Sequence, residues 1–217
     1  MQKNIDFSRG NITPIGSASV PVSITFDGNG YTISNGKVAN SGTYAGLFGY
    51  VSSGTITNFL ASNITVNGTQ YSGLIGYATG ANVSKIRVTD CVIKGSSYVG
   101  TVGYAKNTKI SGIFITDRMG ISGTNYVGGV LGGAGGSVSI QNCYNAADIS
   151  GTSYVGGILG ASPMSVSYAS EETKVTCTYN AGSVTASKNY GDGTVGYHYH
   201  AVFFRNENYG KVKVAGR

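Results

Sequence analysis

The sequence predicts an all-β chain that folds as a right-handed parallel β-helix, a solenoid of about six to seven coils with ~28 residues each. Two observations carry this prediction. Helix is disfavoured, because 35 of the 217 residues are glycine, and glycine costs roughly 0.8–1.0 kcal/mol per helical position relative to alanine. In addition, a short glycine phrase recurs along the chain at a nearly constant spacing.

The composition excludes two other classes of protein. Small polar residues and glycine dominate the chain, a bias that is typical of disordered linkers. However, hydrophobic residues make up 41% of the chain, and it contains 16 tyrosines but only 3 prolines. The Val, Ile, Thr and Tyr residues between the glycines favour pleated strands. Collagen is excluded as well, because glycine does not occupy every third position.

The repeated phrase consists of glycine, a small or aliphatic residue, an apolar residue and a second glycine. The first glycines of successive copies are 27, 27, 29, 28 and 36 residues apart. A residue without a side chain permits tight corners and a close approach of neighbouring coils. Of the two residues between the glycines, one is expected to lie inside the cylinder. The repeat glycines are Gly46, Gly49, Gly73, Gly76, Gly100, Gly103, Gly129, Gly132, Gly157, Gly160, Gly193 and Gly196.

Strand and turn signals complete each unit. A tyrosine precedes every phrase by two or three positions, and turns such as Asn67-Gly68-Thr69 precede the first five of these tyrosines. Alternating stretches such as Ile64-Thr65-Val66 lie before the turns, so each unit holds roughly three short strands. Residues 1–23 are predicted to cap the solenoid, and residues 24–217 to form one continuous domain. A β-propeller is disfavoured, because its blades need about 40 residues, and the pattern of leucine-rich repeats is absent.

These residues also resemble a known repeat. Tyr126 to Gly132, Tyr154 to Gly160 and Asn142-Cys143-Tyr144 are similar to the GLUG motif, and the resemblance covers nearly the whole chain. The first three copies depart from it, because they lack one residue between the tyrosine and the phrase. GLUG arrays occur in large secreted or surface-anchored bacterial proteins, including adhesin-like proteins. The resemblance therefore implies an extracellular or cell-surface stalk or ligand-binding region and no catalytic residue.

Charge and targeting signals restrict the partners. The 15 Lys and Arg residues are scattered singly, although the net charge is +6, so no nucleic-acid stripe is predicted. No apolar run is long enough to enter a membrane. The start at Met1 lacks the regions of a signal peptide, and we expect the chain to be a piece of a longer protein.

The three cysteines do not form a disulfide framework. The sequence does not decide whether Cys143 and Cys177 form a disulfide bridge.

No catalytic or metal constellation emerges from the sequence. Asp90, Asp117 and Asp148 could lie on neighbouring coils, but solvated charges are the simpler interpretation. Asp27-Gly28-Asn29-Gly30 lacks the donors of a calcium loop and indicates a turn. The alternation in Tyr197-His198-Tyr199-His200 predicts a strand with both histidines on one face, but no third metal ligand lies nearby. We therefore predict no cofactor and no metal.

Tyrosines are predicted to stack along the solenoid. One ladder comprises Tyr44, Tyr71, Tyr98, Tyr126, Tyr154 and Tyr190, and a second ladder comprises Tyr50, Tyr77 and Tyr104, breaks at Gly133 and Ala161, and resumes at Tyr197. Such stacks stabilise a fold, and the second ladder is the better candidate for stacking against carbohydrate. The last interval carries about eight extra residues within 161–174, and insertions often carry binding. The candidate binding residues are thus Tyr50, Tyr77, Tyr104, Tyr168, Tyr197, His198, Tyr199 and His200.

These expectations favour a non-enzymatic, extracellular β-helix that acts as an adhesin stalk or as a segment binding a cell-surface glycan or host protein. A polysaccharide-degrading β-helix enzyme is one alternative, because such enzymes share this architecture. A phage tail-spike or filament subunit is the other. The sequence alone leaves the ligand and the oligomeric state open.

Overall fold

The computed structural model describes residues 1–38, 42–162 and 171–215, and these residues contain strands and no helix. The strands in chain order are β1 (Ile5–Asp6), β2 (Asn11–Ile12), β3 (Val22–Asp27), β4 (Thr32–Val38), β5 (Tyr44–Ala45), β6 (Phe48–Asn67), β7 (Tyr71–Ser72), β8 (Ile75–Thr79), β9 (Ala81–Thr89), β10 (Val92–Val99), β11 (Val102–Lys106), β12 (Lys109–Ile115) and β13 (Gly120–Gly128). They continue with β14 (Leu131–Gly135), β15 (Val138–Gln141), β16 (Tyr144–Asn145), β17 (Asp148–Gly156), β18 (Leu159–Ala161), β19 (Thr173–Thr176), β20 (Tyr179–Asn180), β21 (Val184–Asp192), β22 (Val195–Tyr197), β23 (Ala201–Phe204), β24 (Glu207–Asn208) and β25 (Val212–Val214).

Parallel pairing between successive coils confirms the predicted solenoid, with about seven turns of roughly 28 residues each. Each coil holds about four strand segments, one more than the sequence indicated, because the strand after the phrase turns at a corner, such as Lys85 in β9, and continues as a further segment. The first residues pack against the first coil: β1 and β2 both pair with β4, and Ile15 bridges to Phe48.

Like residues stack on like in the interior. Ile56 pairs with Val83, Val83 with Ile110, Ile110 with Ile140, and Ile140 with Val175. All five side chains are buried. Because each coil covers the inner face of its neighbour, one continuous apolar core runs along the solenoid.

Single residues in the left-handed conformation turn the chain at one corner of every coil. This corner follows β3 in the first coil, lies inside long strands such as β6 and β9, and follows β23 in the last coil. A short polar side chain or glycine tolerates this conformation best, which explains the asparagines in the series. The φ angles at this corner lie between 52° and 64° at Asn29, Asn58, Lys85, Gly112, Asn142, Cys177 and Arg205.

The repeat glycines serve close approach rather than left-handed corners, because none of them has a positive φ. A Cβ atom on Gly100 would lie 2.8 Å from the carbonyl oxygen of Gly128, and one on Gly103 would lie 2.5 Å from that of Gly76. The backbones of neighbouring coils leave no room for a side chain there. Both residues between the glycines are buried in the second copy, Leu74 and Ile75, whereas the sequence led us to expect one.

A ladder of asparagines runs through the last three coils and was not anticipated from the sequence. Asn145 and Asn180 are buried, and Asn208 is exposed in the last coil. The Nδ2 of Asn145 donates to the Oδ1 of Asn180 over 2.8 Å, and the Nδ2 of Asn180 donates to the Oδ1 of Asn208 over 2.7 Å. The same amide groups also donate to the carbonyl oxygens of Ala147 and Gly182. The buried amides of Asn145 and Asn180 are thus satisfied by the neighbouring coil and by their own turns, whereas the buried hydroxyl groups of Ser72 and Thr173 have no hydrogen-bond partner.

The asparagine ladder explains why the later copies of the phrase carry an extra residue. Val99 pairs with Val127, but Val102 pairs with Leu131, so one residue is inserted between these two points. In the later copies the first glycine faces the ladder: a Cβ on Gly129 would lie 2.7 Å from the Cγ of Asn145. Glycine at this position therefore makes room for the buried amide.

The cysteines are free, and a Cys143–Cys177 bridge is not formed. Cys177 occupies an exposed left-handed corner, in register with Asn142, whereas Cys143 points into the core. Burial raises the pKa of Cys91 to about 11 and that of Cys143 to about 12, so both remain neutral thiols.

The close approach at the phrase predicts a large cost for side chains there. Replacing Gly100 and Gly103 together by valine is expected to lower Tm by roughly 10 °C or more, because overpacking costs about 1–3 kcal/mol per site. Thermal unfolding followed by circular dichroism measures the effect. Gly120→Ala is the control, since a Cβ there meets nothing within 4 Å. An unchanged Tm for the double variant would refute the role of these glycines.

The asparagine ladder gives a second prediction. Asn180→Ala is expected to destabilise the protein by about 2–3 kcal/mol, because it removes buried hydrogen bonds to both neighbouring coils. Denaturant unfolding compares this variant with Asn82→Ala, at an exposed strand position of β9. Equal stability of the two variants would show that the ladder does not hold the coils together.

Candidate functional site

The first tyrosine ladder forms as predicted. Its six rings stack on one another from coil to coil, with centroid distances of 5.2, 5.3, 4.7, 4.8 and 4.9 Å from Tyr44 to Tyr190. The planes of the last four rings lie within 15° of those of their neighbours. The ladder is therefore a regular stack that runs parallel to the solenoid axis.

The backbone holds these rings in an unusual conformation. The φ angles of the last four ladder residues lie between 52° and 60°, at Tyr98, Tyr126, Tyr154 and Tyr190. A bulky residue in this region is a genuine outlier. The ring stack compensates for the strain, because each ring gains contact with two neighbours.

The second ladder lies directly beside the first. Tyr50, Tyr77 and Tyr104 pair in register, with centroid distances of 4.6 and 5.1 Å. In the following coils the same position is occupied by Gly133, Ala161 and Tyr197. The second ladder therefore lacks a ring in two coils and resumes at Tyr197, as the sequence predicted. Edge-to-face contacts join the two ladders within three coils, at 5.1 Å for Tyr71–Tyr77, 5.1 Å for Tyr98–Tyr104 and 5.3 Å for Tyr190–Tyr197. Tyr44 stacks on Tyr50 instead, with an interplanar angle of 19°.

Together the two ladders form one surface, which we call the tyrosine face. It comprises Tyr44, Tyr50, Tyr71, Tyr77, Tyr98, Tyr104, Tyr126, Tyr154, Tyr190 and Tyr197. Ring faces inside the first ladder are covered by neighbouring rings, so this ladder presents ring edges and hydroxyl groups outwards. In the second ladder, the hydroxyl group of Tyr104 lies against Gly135 of the next coil. A ligand on this face therefore meets hydrogen-bonding groups at the repeat of the coils rather than open ring faces.

Burial keeps the central hydroxyl groups protonated. The pKa of Tyr104 is raised to about 12. Desolvation is the largest cause, and the neighbouring Tyr98 and Tyr71 raise the pKa further. Desolvation also raises the pKa of Tyr77, with Tyr104 and Tyr50 as the next causes. Both groups remain neutral hydrogen-bond donors near neutral pH.

The histidine segment differs from the prediction of a strand. β22 ends at Tyr197, and His198 to His200 lie outside any strand, so the two histidines do not share a strand face. The ring of His198 packs edge to face on Phe203 at 4.9 Å, whereas Nδ1 of His200 lies 2.5 Å from the carbonyl oxygen of Glu171. Tyr199 is exposed, and its amide donates to Ser162. The predicted binding residue Tyr168 lies outside the described residues.

The acidic residues are engaged separately. Asp90 forms an ion pair with Arg118 over 2.6 Å, and Asp148 accepts a hydrogen bond from the amide of Ser183. Asp27 accepts hydrogen bonds from the amide of Asn29 and the side chain of Asn58. These bonds stabilise the predicted turn and lower the pKa of the Asp27 carboxyl group. Within residues 1–38, 42–162 and 171–215, no three His, Cys, Asp or Glu residues meet to hold a metal ion.

A third aromatic ladder was missed by sequence reasoning. Its rings stack at centroid distances of 4.7, 5.4 and 4.9 Å, with interplanar angles of 17° to 22°. The signal was the recurrence of tyrosine beside the ladder asparagines, Tyr144-Asn145 and Tyr179-Asn180. We call this set the outer aromatic strip, and it consists of Phe114, Tyr144, Tyr179 and Tyr209.

Comparison with known proteins supports the fold. No family model matches the chain, and no curated protein matches it. A crystal structure from Bacteroides ovatus, described as a "putative immunoglobulin A1 protease", is similar with a TM-score of 0.80 and 19% identity, over 100% of this chain and 70% of that chain. At this identity the similarity shows that both are parallel β-solenoids. The described residues include no helix able to span a membrane.

The raised tyrosine pKa values predict alkaline destabilisation. Because the folded pKa of Tyr104 lies above the unfolded value near 10, this group's contribution to stability is complete below pH 10 and is lost towards pH 12. The free energy of unfolding should therefore fall above about pH 10, and Tyr104→Phe should reduce the fall. Denaturant unfolding at several pH values measures it. Constant stability across this range would contradict the burial of these hydroxyls.

Proposed function

We propose that the chain is a non-enzymatic segment of a bacterial secreted or surface protein, which acts as a stalk and holds a glycan or host protein on its tyrosine face. One observation carries the proposal: ten tyrosines, drawn from all but the ends of the solenoid, form a single continuous surface. Tyrosine is well suited to recognition, because it combines a large rigid ring with a polar hydroxyl group.

The geometry fits an extended ligand that lies along the axis. Tyr50, Tyr77 and Tyr104 repeat once per coil, with ring centroids 4.6 and 5.1 Å apart. The hydroxyl groups of Tyr77 and Tyr104 are neutral donors beside the first ladder. A polymer whose units repeat at a similar distance can meet the same group in every coil, and such repeated contacts add to affinity.

The stacking of coils supports the proposed stalk role. Each strand segment is held by its neighbours in sequence and in space, so the chain forms a rod of roughly 30 Å at ~4.8 Å per coil. The resemblance of Tyr126 to Gly132 and Tyr154 to Gly160 to GLUG arrays supports a location outside the cell. The description of the similar structure also supports it, because that description names a host immunoglobulin.

A binding experiment tests the tyrosine face. The wild-type chain is screened against an array of defined glycans and against human immunoglobulin A1 as the host-protein probe. For any probe that binds, the variant Tyr50→Phe/Tyr77→Phe/Tyr104→Phe is expected to bind at least about tenfold more weakly. It keeps the rings and removes three hydroxyl hydrogen bonds worth about 0.5–1.5 kcal/mol each.

The control is Tyr31→Phe, at a tyrosine outside both ladders, which should bind like wild type. Both variants should melt within about 2 °C of wild type, because the ring stacks are kept. Failure of every probe to bind would leave the stalk role alone. Equal binding by the triple variant would remove the tyrosine face from the interaction, and turnover of a uronic-acid polymer by the chain would overturn the non-enzymatic proposal.

A further inference from the structure

The outer aromatic strip lies on a different part of the coil from the tyrosine face. Phe114 belongs to β12, and Tyr144, Tyr179 and Tyr209 follow it in the next three coils. Phe114 is 42% exposed and Tyr209 is 68% exposed. The strip therefore covers solvent-facing surface and does not belong to the apolar core.

The solenoid does not require aromatic rings at these positions. In the preceding coils the same column carries Thr32, Leu60 and Arg87, which pair in register with one another and with Phe114. Three different chemical types are thus tolerated where the column begins. Exposed aromatic side chains that the fold does not need mark an interaction surface.

Positive charge surrounds the beginning of the strip. The guanidinium of Arg87 lies 5.2 Å from the ring centre of Phe114. Lys85 occupies the left-handed corner next to Arg87, and Lys109 lies on the neighbouring segment of the same strand as Phe114. A recess of about 420 Å³ lies beside this segment and is lined by Lys109, Lys174 and Glu172.

Carboxylates on the same columns are engaged by other groups. Glu172 pairs with Lys174 over 3.1 Å, and Glu207 accepts a hydrogen bond from the Tyr209 hydroxyl over 3.2 Å. Asp27 is bound within its turn. The charge of Asp27 also interacts with that of Lys85. The ion pairs of the described residues join Arg118 to Asp90 and Lys174 to Glu172, so Arg87 and Lys109 take no part in them.

The orientation of the rings selects the same sign of charge. Each ring uses its faces to stack on its neighbours, so its edge points outwards. The edge of an aromatic ring is the positive part of its quadrupole, and the tyrosine hydroxyl groups are donors. Ring edges, hydroxyls and cations all favour a negatively charged ligand over a neutral sugar, which would need an open ring face.

We propose that the outer aromatic strip, together with Lys85, Arg87 and Lys109, binds a polyanionic glycan that lies along the solenoid axis. An extended sugar ring is about as long as the ~4.8 Å rise between coils, so each coil can meet one sugar. The anionic substituents contact the cations, and the hydroxyls of Tyr144 and Tyr179 donate to sugar oxygens. The surface is separate from the tyrosine face, so either proposal can fail without the other.

Substitutions by the residues that occupy the same column in a neighbouring coil test the site with little risk to the fold. The variant Lys85→Asn/Arg87→Leu/Lys109→Asn takes its residues from Asn58, Leu60 and Asn82, which stack on these positions. It is expected to bind polygalacturonic acid and chondroitin sulfate at least about tenfold more weakly than wild type. The dependence of log Kd on log salt should also become shallower, because fewer ions are released on binding.

The control removes the same charge elsewhere. The variant Lys37→Thr/Lys94→Ser/Lys213→Thr also takes its residues from neighbouring coils, and its affinity should fall less than threefold. Phe114→Leu keeps an apolar side chain without a ring and should weaken binding beyond any change in Tm. The tyrosine-face variant Tyr50→Phe/Tyr77→Phe/Tyr104→Phe should bind these polyanions like wild type.

Several outcomes would overturn the proposal. Failure of the wild type to bind either polyanion would do so, as would equal binding of neutral dextran. An equal loss in the control variant would assign binding to net charge rather than to this surface. Duplex DNA serves as a polyanion of another class, and tighter binding of DNA than of both glycans would show that the surface does not select a glycan.

Discussion

Parallel pairing of each coil with the next is the constraint on which the rest of this structure depends. The hydrogen bonds fix the distance between equivalent backbone positions, so each residue is held against its counterpart one repeat away. Ile56, Val83 and Ile110 stack for this reason, and so do the tyrosines of both ladders. The same fixed distance excludes side chains at the repeat glycines, where neighbouring backbones come closest. Composition, packing and surface chemistry all repeat with one period as a consequence.

Polar residues are compatible with the parallel pairing of coils at two kinds of position. At the corners, a single left-handed residue joins successive strands, and asparagine or glycine adopts that conformation at the lowest cost. Inside the last coils, Asn145, Asn180 and Asn208 satisfy one another across the coil interfaces. The ladder needs space, which the first glycine of each later phrase provides. The extra residue before the later phrases and the asparagine ladder therefore occur together in the same coils.

The surface repeats with the same period as the core. A side chain that faces solvent in one coil has a counterpart directly above it in the next, so a favourable contact is repeated along the axis. The tyrosine face repeats hydroxyl groups, whereas the outer aromatic strip repeats ring edges beside Lys85 and Arg87. An extended polymer is the type of ligand that matches such rows. The two surfaces differ in charge, and we propose different ligands for them on this ground.

The sequence by itself determined the period, the parallel solenoid, the positions of the repeat glycines and both tyrosine ladders with the break at Gly133 and Ala161. These features depend only on which residue lies one coil away, and the length of the repeat identifies that residue. The tertiary structure decided what depends on side-chain direction. It placed Cys177 on a corner, took His198 and His200 out of a strand, turned the asparagines inwards and aligned Phe114 with Tyr144. Those outcomes follow from local φ angles and from small differences in repeat length, which shift a residue between the core and the surface.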